Sequence, residues 1–102
     1  MVAIKLFYRK IKMPLVHNIN GTSKNKRNIP WIDFWREKSG REGKKCKNII
    51  CDSNAEVGAH VQKHGVETTN TWYITPLCKK CNSKNDTFSV LEKNLIPVNL
   101  KD

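Results

Sequence analysis

An α+β fold of modest size is what the sequence predicts, on three observations. There is one helix signal with its aromatic residues on a single face, a set of short β-branched runs bounded by turn residues, and two close pairs of cysteines. The chain has 102 residues, 38% hydrophobic and 27% charged, so one domain with a small apolar core is expected. A core of that size commonly needs a staple, either disulfides or a metal.

Residues 2–12 mix apolar and basic side chains at near-alternating spacing, which fits a short strand or an arm. "HNINGTSKNKRN" (17–28) is rich in Asn, Gly, Ser and charge and reads as a loop. The helix is expected at about residues 30–39. Asn28 is a candidate cap, Pro30 fits the first turn, and Trp31, Phe34, Trp35 and Lys38 recur at i, i+3, i+4 and i+7. Gly40 can end it. The two tryptophans are assigned to the core rather than to base stacking, because stacking platforms sit on exposed sheets or grooves.

"SGREGKK" (39–45) is a basic, glycine-containing linker. Beyond it, "EVGAHV" (56–61) and "TWYITPL" (71–77) flank the loop "QKHGVETTN" (62–70) as a hairpin. "NSKNDTFSVLEKN" (82–94) is expected to form a short helix or turn leading to a strand, and "LIPVNL" (95–100) an extended segment, since Pro97 disfavours helix. The chain therefore divides into a basic region, 1–45, and a cysteine-bearing region, 46–102, packed as a single domain.

The net charge of +10 is unevenly placed. Residues 1–45 hold 12 Lys and Arg against 3 Asp and Glu, whereas residues 46–102 hold 7 against 6. A basic excess confined to one end points to a polyanionic partner, most often nucleic acid, although a charged surface also serves solubility alone. Candidate phosphate contacts are Lys5, Arg9, Lys10, Lys12, Lys24, Lys26, Arg27, Arg36, Lys44, Lys45 and Lys84. No stretch approaches the ~20 apolar residues of a membrane span. The opening "MVAIKLFYRKIKM" is broken by Lys5, Arg9, Lys10 and Lys12, unlike a secretory signal. A cytoplasmic location is expected, or a nuclear one where the host has a nucleus.

Cys46 and Cys51 enclose four residues, Cys78 and Cys81 enclose two, and 26 lie between the pairs. In a reducing compartment this spacing favours a metal over disulfides. Structural zinc is the leading expectation, since four thiolates must approach one ion tetrahedrally at ~2.3 Å from two tight turns. A mixed site in which His60 or His64 replaces a cysteine is the alternative. Lys47, Lys79 and Lys80 beside the thiols are expected to lower their pKa.

The cysteine pairs, the segment "GAHV" and the run "PLCKKCNSK" together resemble the zinc-ribbed branch of the HNH endonucleases, which have a ββα-metal, treble-clef fold. The resemblance covers about residues 44–88. In that family the first strand ends in Asp-His and the second runs into L-C-x-x-C-H-x-x-K. The resemblance implies that His60 occupies the position of the general base that activates water. It implies that Asn82 stands at the last histidine, as a metal ligand or positioning group, and that Lys84 or Asn85 reaches phosphate. Two positions depart from the pattern. Ala59 stands where the family has its metal-binding aspartate, and Tyr73 where it has an asparagine, with Asn70 nearby. A cation there would have to borrow ligands such as Glu56, Asp86 or His64.

The expectation is a zinc-stabilised, HNH-like protein that binds nucleic acid, DNA in preference to RNA, without cleavage or with weak cleavage. The alternatives are an Mg²⁺- or Mn²⁺-dependent endonuclease with His60 as base, and an adaptor or small phage or mobile-element inhibitor whose basic face docks on an acidic protein. His17 and His64 are expected to be isolated surface residues on loops.

Overall fold

A computed structural model describes residues 12–19, 30–65 and 71–98. Its centre is an antiparallel hairpin of β2 (Val57–Lys63) and β3 (Trp72–Leu77), with Ala59 opposite Thr75 and His60 opposite Ile74. β1 (Leu15–Asn18) pairs with β2, and the short β4 (Phe88–Ser89) pairs with β1. β5 (Ile96–Val98) pairs with β3, giving a five-stranded sheet in the order β4-β1-β2-β3-β5. Helix α1 (Trp31–Ser39) packs on the hairpin and β5, and the short α2 (Lys79–Asn82) follows β3 directly. With its α1 helix and five strands the protein is α+β, as the sequence predicts.

Side chains alternate between the two faces of the sheet, and this alternation makes two cores. Ala59, Val61, Tyr73 and Leu77 face the cysteines, Val16, Phe88 and Val90. Trp72 and Ile74 face the other way, against Trp31, Phe34 and Trp35 of α1 and Val98 of β5. The face opposite the cysteines therefore belongs to the helix.

Helix α1 begins one residue later than expected. Pro30 is the N-cap, in extended conformation and with no side-chain cap bond, while Asn28 lies outside the described residues. Gly40 ends the helix at φ 70°, its N–H donating to Arg36 O. The apolar stripe is wider than the spacing implied, because Ile32 is buried too. Trp35 is fully buried, with its Nε1 donating to Asn94 O at 3.0 Å and the Arg41 guanidinium 4.8 Å from the ring. That assigns Trp35 to the core. Trp31 is half-buried.

Three local expectations are corrected. His17 and Asn18 are not in a loop: they end β1, whose pairing to β2 and β4 outweighs their polar local composition. The hairpin loop is shorter than 62–70, because β2 continues to Lys63, and residues 66–70 lie outside the described residues, as do 2–11 and 20–29. The 39–45 linker is packed rather than merely connecting. Arg41 donates to Asn94 Oδ1 and Lys93 O, both at 2.7 Å, and Gly43 is buried. Pro97 sits in β5 at the sheet edge, where its missing N–H costs no ladder bond.

Gly43 has φ 60°, and a Cβ there would stand 2.7 Å from the Trp35 ring and 3.0 Å from Pro76. Gly43→Ala should therefore destabilise the fold by about 1–3 kcal/mol, through strain and overpacking together. Thermal melting of the variant measures it, and an unchanged Tm would mean that the linker does not pack against the core.

Candidate metal centre and the cleft beside it

The two cysteine pairs meet at one point. Cys46 and Cys51 flank a turn ahead of β2, held by Cys46 N–H to Ser53 O at 2.9 Å and Lys47 N–H to Pro76 O at 2.8 Å. Cys78 is the N-cap of α2, its Sγ accepting from Cys81 N–H at 3.4 Å. The four sulfurs lie within 4.8 Å of one another, and Cys51 Sγ is 3.9 Å from Cys78 Sγ. Four thiolates on one tetrahedral ion at ~2.3 Å stand roughly 3.8 Å apart, so the arrangement fits a metal such as zinc. All four cysteines are free thiols, and neither His60 nor His64 joins the cluster. The mixed site is therefore not what these residues form.

The thiols differ in their electrostatics. Burial pushes Cys46 up to about 12 and also raises Cys81. Hydrogen bonds from the backbone and side chain of Ser53 bring Cys51 down to about 6. The leading causes are burial and hydrogen bonding, not the flanking lysines that the sequence pointed to; Lys79 and Lys80 are exposed. The thiolate form is thus favoured at Cys51.

Two asparagines that sequence reasoning missed support the cluster. Asn48 is buried inside the first turn, its Nδ2 donating to Cys81 Sγ at 3.4 Å and its Oδ1 accepting from Ile50 N–H at 3.3 Å. Its position within Cys46-x₄-Cys51 was the only available signal. Asn18 ties β1 to the second turn through Nδ2 bonds to Cys81 O at 2.9 Å and Lys84 O at 3.0 Å. Nothing local to residue 18 marks that role.

On the far side of β2 a cleft of about 340 Å³ brings together Trp31, Glu56, Ala59, His60 and Asn82. His60 and Asn82 thus share one cavity, but on unequal terms. Asn82 is exposed at the end of α2. His60 is only 6% exposed, boxed edge-to-face by Trp31 at 4.6 Å and Trp72 at 5.7 Å between ring centroids. Its Nε2 is buried with no hydrogen-bond partner, and burial lowers its pKa, so the ring is neutral near pH 7. Helix α1 closes over this strand because Gly58 has no side chain: a Cβ there would lie 2.4 Å from Ile32 N. Of the substitute ligands, Glu56 lines the cleft but its Oε2 accepts from Lys79 N–H at 2.9 Å, while Asp86 and His64 do not line it.

Five of the eleven candidate phosphate contacts lie among the described residues. Lys5, Arg9, Lys10, Lys24, Lys26 and Arg27 lie outside the described residues. Lys12 is exposed. Arg36 is engaged by Asp33 at 3.0 Å and by Glu42 O at 2.7 Å, and Lys44 pairs with Glu42 at 3.1 Å. Lys45 reaches Asp52 O and Asn54 Oδ1, and Lys84 is half-buried beside a second cavity. Among the described residues no helix is long and apolar enough to cross a membrane.

No protein-family model matches the chain, and comparison with curated proteins and with solved structures returns no significant match.

Two outcomes follow from this geometry. Asn48→Ala removes a hydrogen bond to a ligand sulfur and should weaken metal binding by ~10–100-fold, measured by competition with a chromophoric chelator. An unchanged affinity would show that the N–H···S contact does not tune the centre. For His60, the folded pKa is depressed, so the unfolded chain binds a proton near 6.5 that the folded one refuses. Its contribution to stability is present above that value and is lost as pH falls towards the folded pKa. Between about pH 7.5 and 5.5 the parent should therefore lose more Tm than His60→Gln. Parallel profiles would show that His60 titrates freely in the fold.

Proposed function

We propose that this protein is a zinc-stabilised nucleic-acid-binding domain of the HNH-like, treble-clef type, whose catalytic position has been converted into core. The observation that carries the reading is His60. A general base must touch the water it activates, within about 2.6–3.2 Å, and the residue at the base position is instead enclosed by two tryptophans with its Nε2 buried. Its neighbour Ala59 brings no ligand for a cation, and the one carboxylate in the cleft is held by the backbone of α2. Base catalysis alone contributes ~10²–10⁴-fold, too little to break a phosphodiester without charge neutralisation on the phosphate.

The treble-clef reading rests on the order of parts: a cysteine turn, the β2–β3 hairpin, then Cys78 and Cys81 opening a helix. The nucleic-acid reading rests on the charge of +10, nearly all of it ahead of Cys46. Zinc is the metal proposed, because four thiolates in a tetrahedral set select it over harder ions. Residues 1–45 then supply the basic charge and residues 46–102 the zinc module, and the chain acts as one unit in the cytoplasm. Binding is to the backbone, with DNA preferred to RNA and little reading of sequence.

A gel-shift titration against salt, paired with a plasmid-nicking assay in Mg²⁺ and in Mn²⁺, tests the proposal. Duplex DNA should be retarded at low salt, and deletion of residues 1–12 should flatten the salt slope by ~0.9 per lost phosphate contact. Neither cation should yield nicked plasmid. Nicking that His60→Ala abolishes would restore the endonuclease reading. No binding at low salt would leave a basic adaptor for an acidic protein.

A further inference from the structure

A second group of ligand-type side chains lies away from the cysteines. His17 is on β1 and His64 follows the end of β2, and their rings meet edge to face with centroids 5.4 Å apart. These residues are neither isolated nor both in loops, which corrects the sequence expectation. The two Nδ1 atoms are 3.4 Å apart. That separation is at the long end for a hydrogen bond between two ring nitrogens. It does match two imidazole nitrogens sharing one tetrahedral ion: with metal–nitrogen bonds of ~2.0–2.1 Å, such ligands stand roughly 3.3–3.4 Å apart.

The backbone brings the two residues side by side. His17 pairs with Gln62 in the β1–β2 ladder, and the His64 N–H donates to Leu15 O at 2.9 Å. Beside the two histidines opens a cavity of about 250 Å³, whose wall also includes Asn18, Lys84, Asn85 and Thr87. It shares no lining residue with the His60 cleft. Asn18 is locked in orientation, since its Nδ2 donates to two carbonyls, so its Oδ1 is fixed as an acceptor. That Oδ1 is buried and has no hydrogen-bond partner among the described residues. No carboxylate lines the cavity, which disfavours hard cations that demand several anionic oxygens. Two imidazole nitrogens with amide and hydroxyl groups nearby suit a borderline transition ion instead.

We propose that His17 and His64 form a second metal site, distinct from the cysteine centre. It takes a divalent transition-metal ion such as Zn²⁺ or Ni²⁺ through the two Nδ1 atoms. Water or an oxygen donor from the cavity completes the coordination. The site lies where β1 meets the end of β2, so an ion bound there clips β1 to the hairpin. It does not depend on whether the protein binds nucleic acid.

The test is native mass spectrometry of the full chain, first with its cysteine centre filled, then titrated with further Zn²⁺ and separately with Ni²⁺. The parent should take up one more ion per chain. His64→Ala and His17→Gln should each weaken that second uptake by at least about tenfold while keeping the first ion and the parent far-UV spectrum. His64 is exposed, so its replacement leaves the core untouched. Saturation at a single ion, or a second ion bound equally well by both variants, would overturn the assignment.

Discussion

The fold depends on four sulfurs brought to one point from two turns that are 26 residues apart in sequence. Around that point the chain is tied by short bonds. Lys47 N–H reaches Pro76 O, Glu56 N–H reaches Leu77 O, and Asn18 reaches both Cys81 O and Lys84 O. These bonds link the first turn to β3 and β1 to the second turn. A thiolate metal site of the zinc kind contributes an apparent ~10–16 kcal/mol, as much as or more than the ~5–15 kcal/mol that stabilises a whole domain. With only 38% of residues hydrophobic, a metal held by these cysteines would be a large share of what stabilises the chain.

The opposite face of the sheet shows what the helix takes from it. Trp31, Phe34 and Trp35 of α1 pack there on Trp72, Ile74 and Val98, and Gly58 lets the start of α1 approach the strand backbone. The consequence falls on His60, whose ring is boxed by Trp31 and Trp72. Its ring is neutral and its Nε2 unsatisfied, a cost that burying an aromatic-boxed imidazole incurs when no donor or acceptor accompanies it. Stability of the helix–sheet contact and access to His60 are thus in direct opposition. The same packing that completes the second core closes the position from which a base would act.

How much of this was legible in the sequence follows from where each determinant lies. Helix α1 was readable because its aromatic spacing, Pro30 and Gly40 are all local, and the cysteine cluster because ligand spacing is a local signature repeated twice. Extended structure at Pro97 was readable for the same reason. β1 was not: Leu15–Asn18 pair with residues some 45 to 75 positions later, and His17 and Asn18 open a stretch whose composition reads as loop. The meeting of His17 with His64 was hidden in the same way, since it depends on the β1–β2 register. Lysine proximity in sequence also misled about the thiols, because Lys79 and Lys80 point to solvent while Ser53 makes the hydrogen bonds that matter.

The central claim is that a metal on Cys46, Cys51, Cys78 and Cys81 holds the domain together. Two-dimensional amide NMR, recorded before and after stoichiometric chelation and on Cys78→Ser, tests it most directly. The account predicts a dispersed spectrum with one tightly held zinc per chain at these cysteines, and collapse of the signals from residues 46–98 when the metal is removed or the ligand replaced. A dispersed spectrum from protein shown by elemental analysis to carry no metal would contradict it.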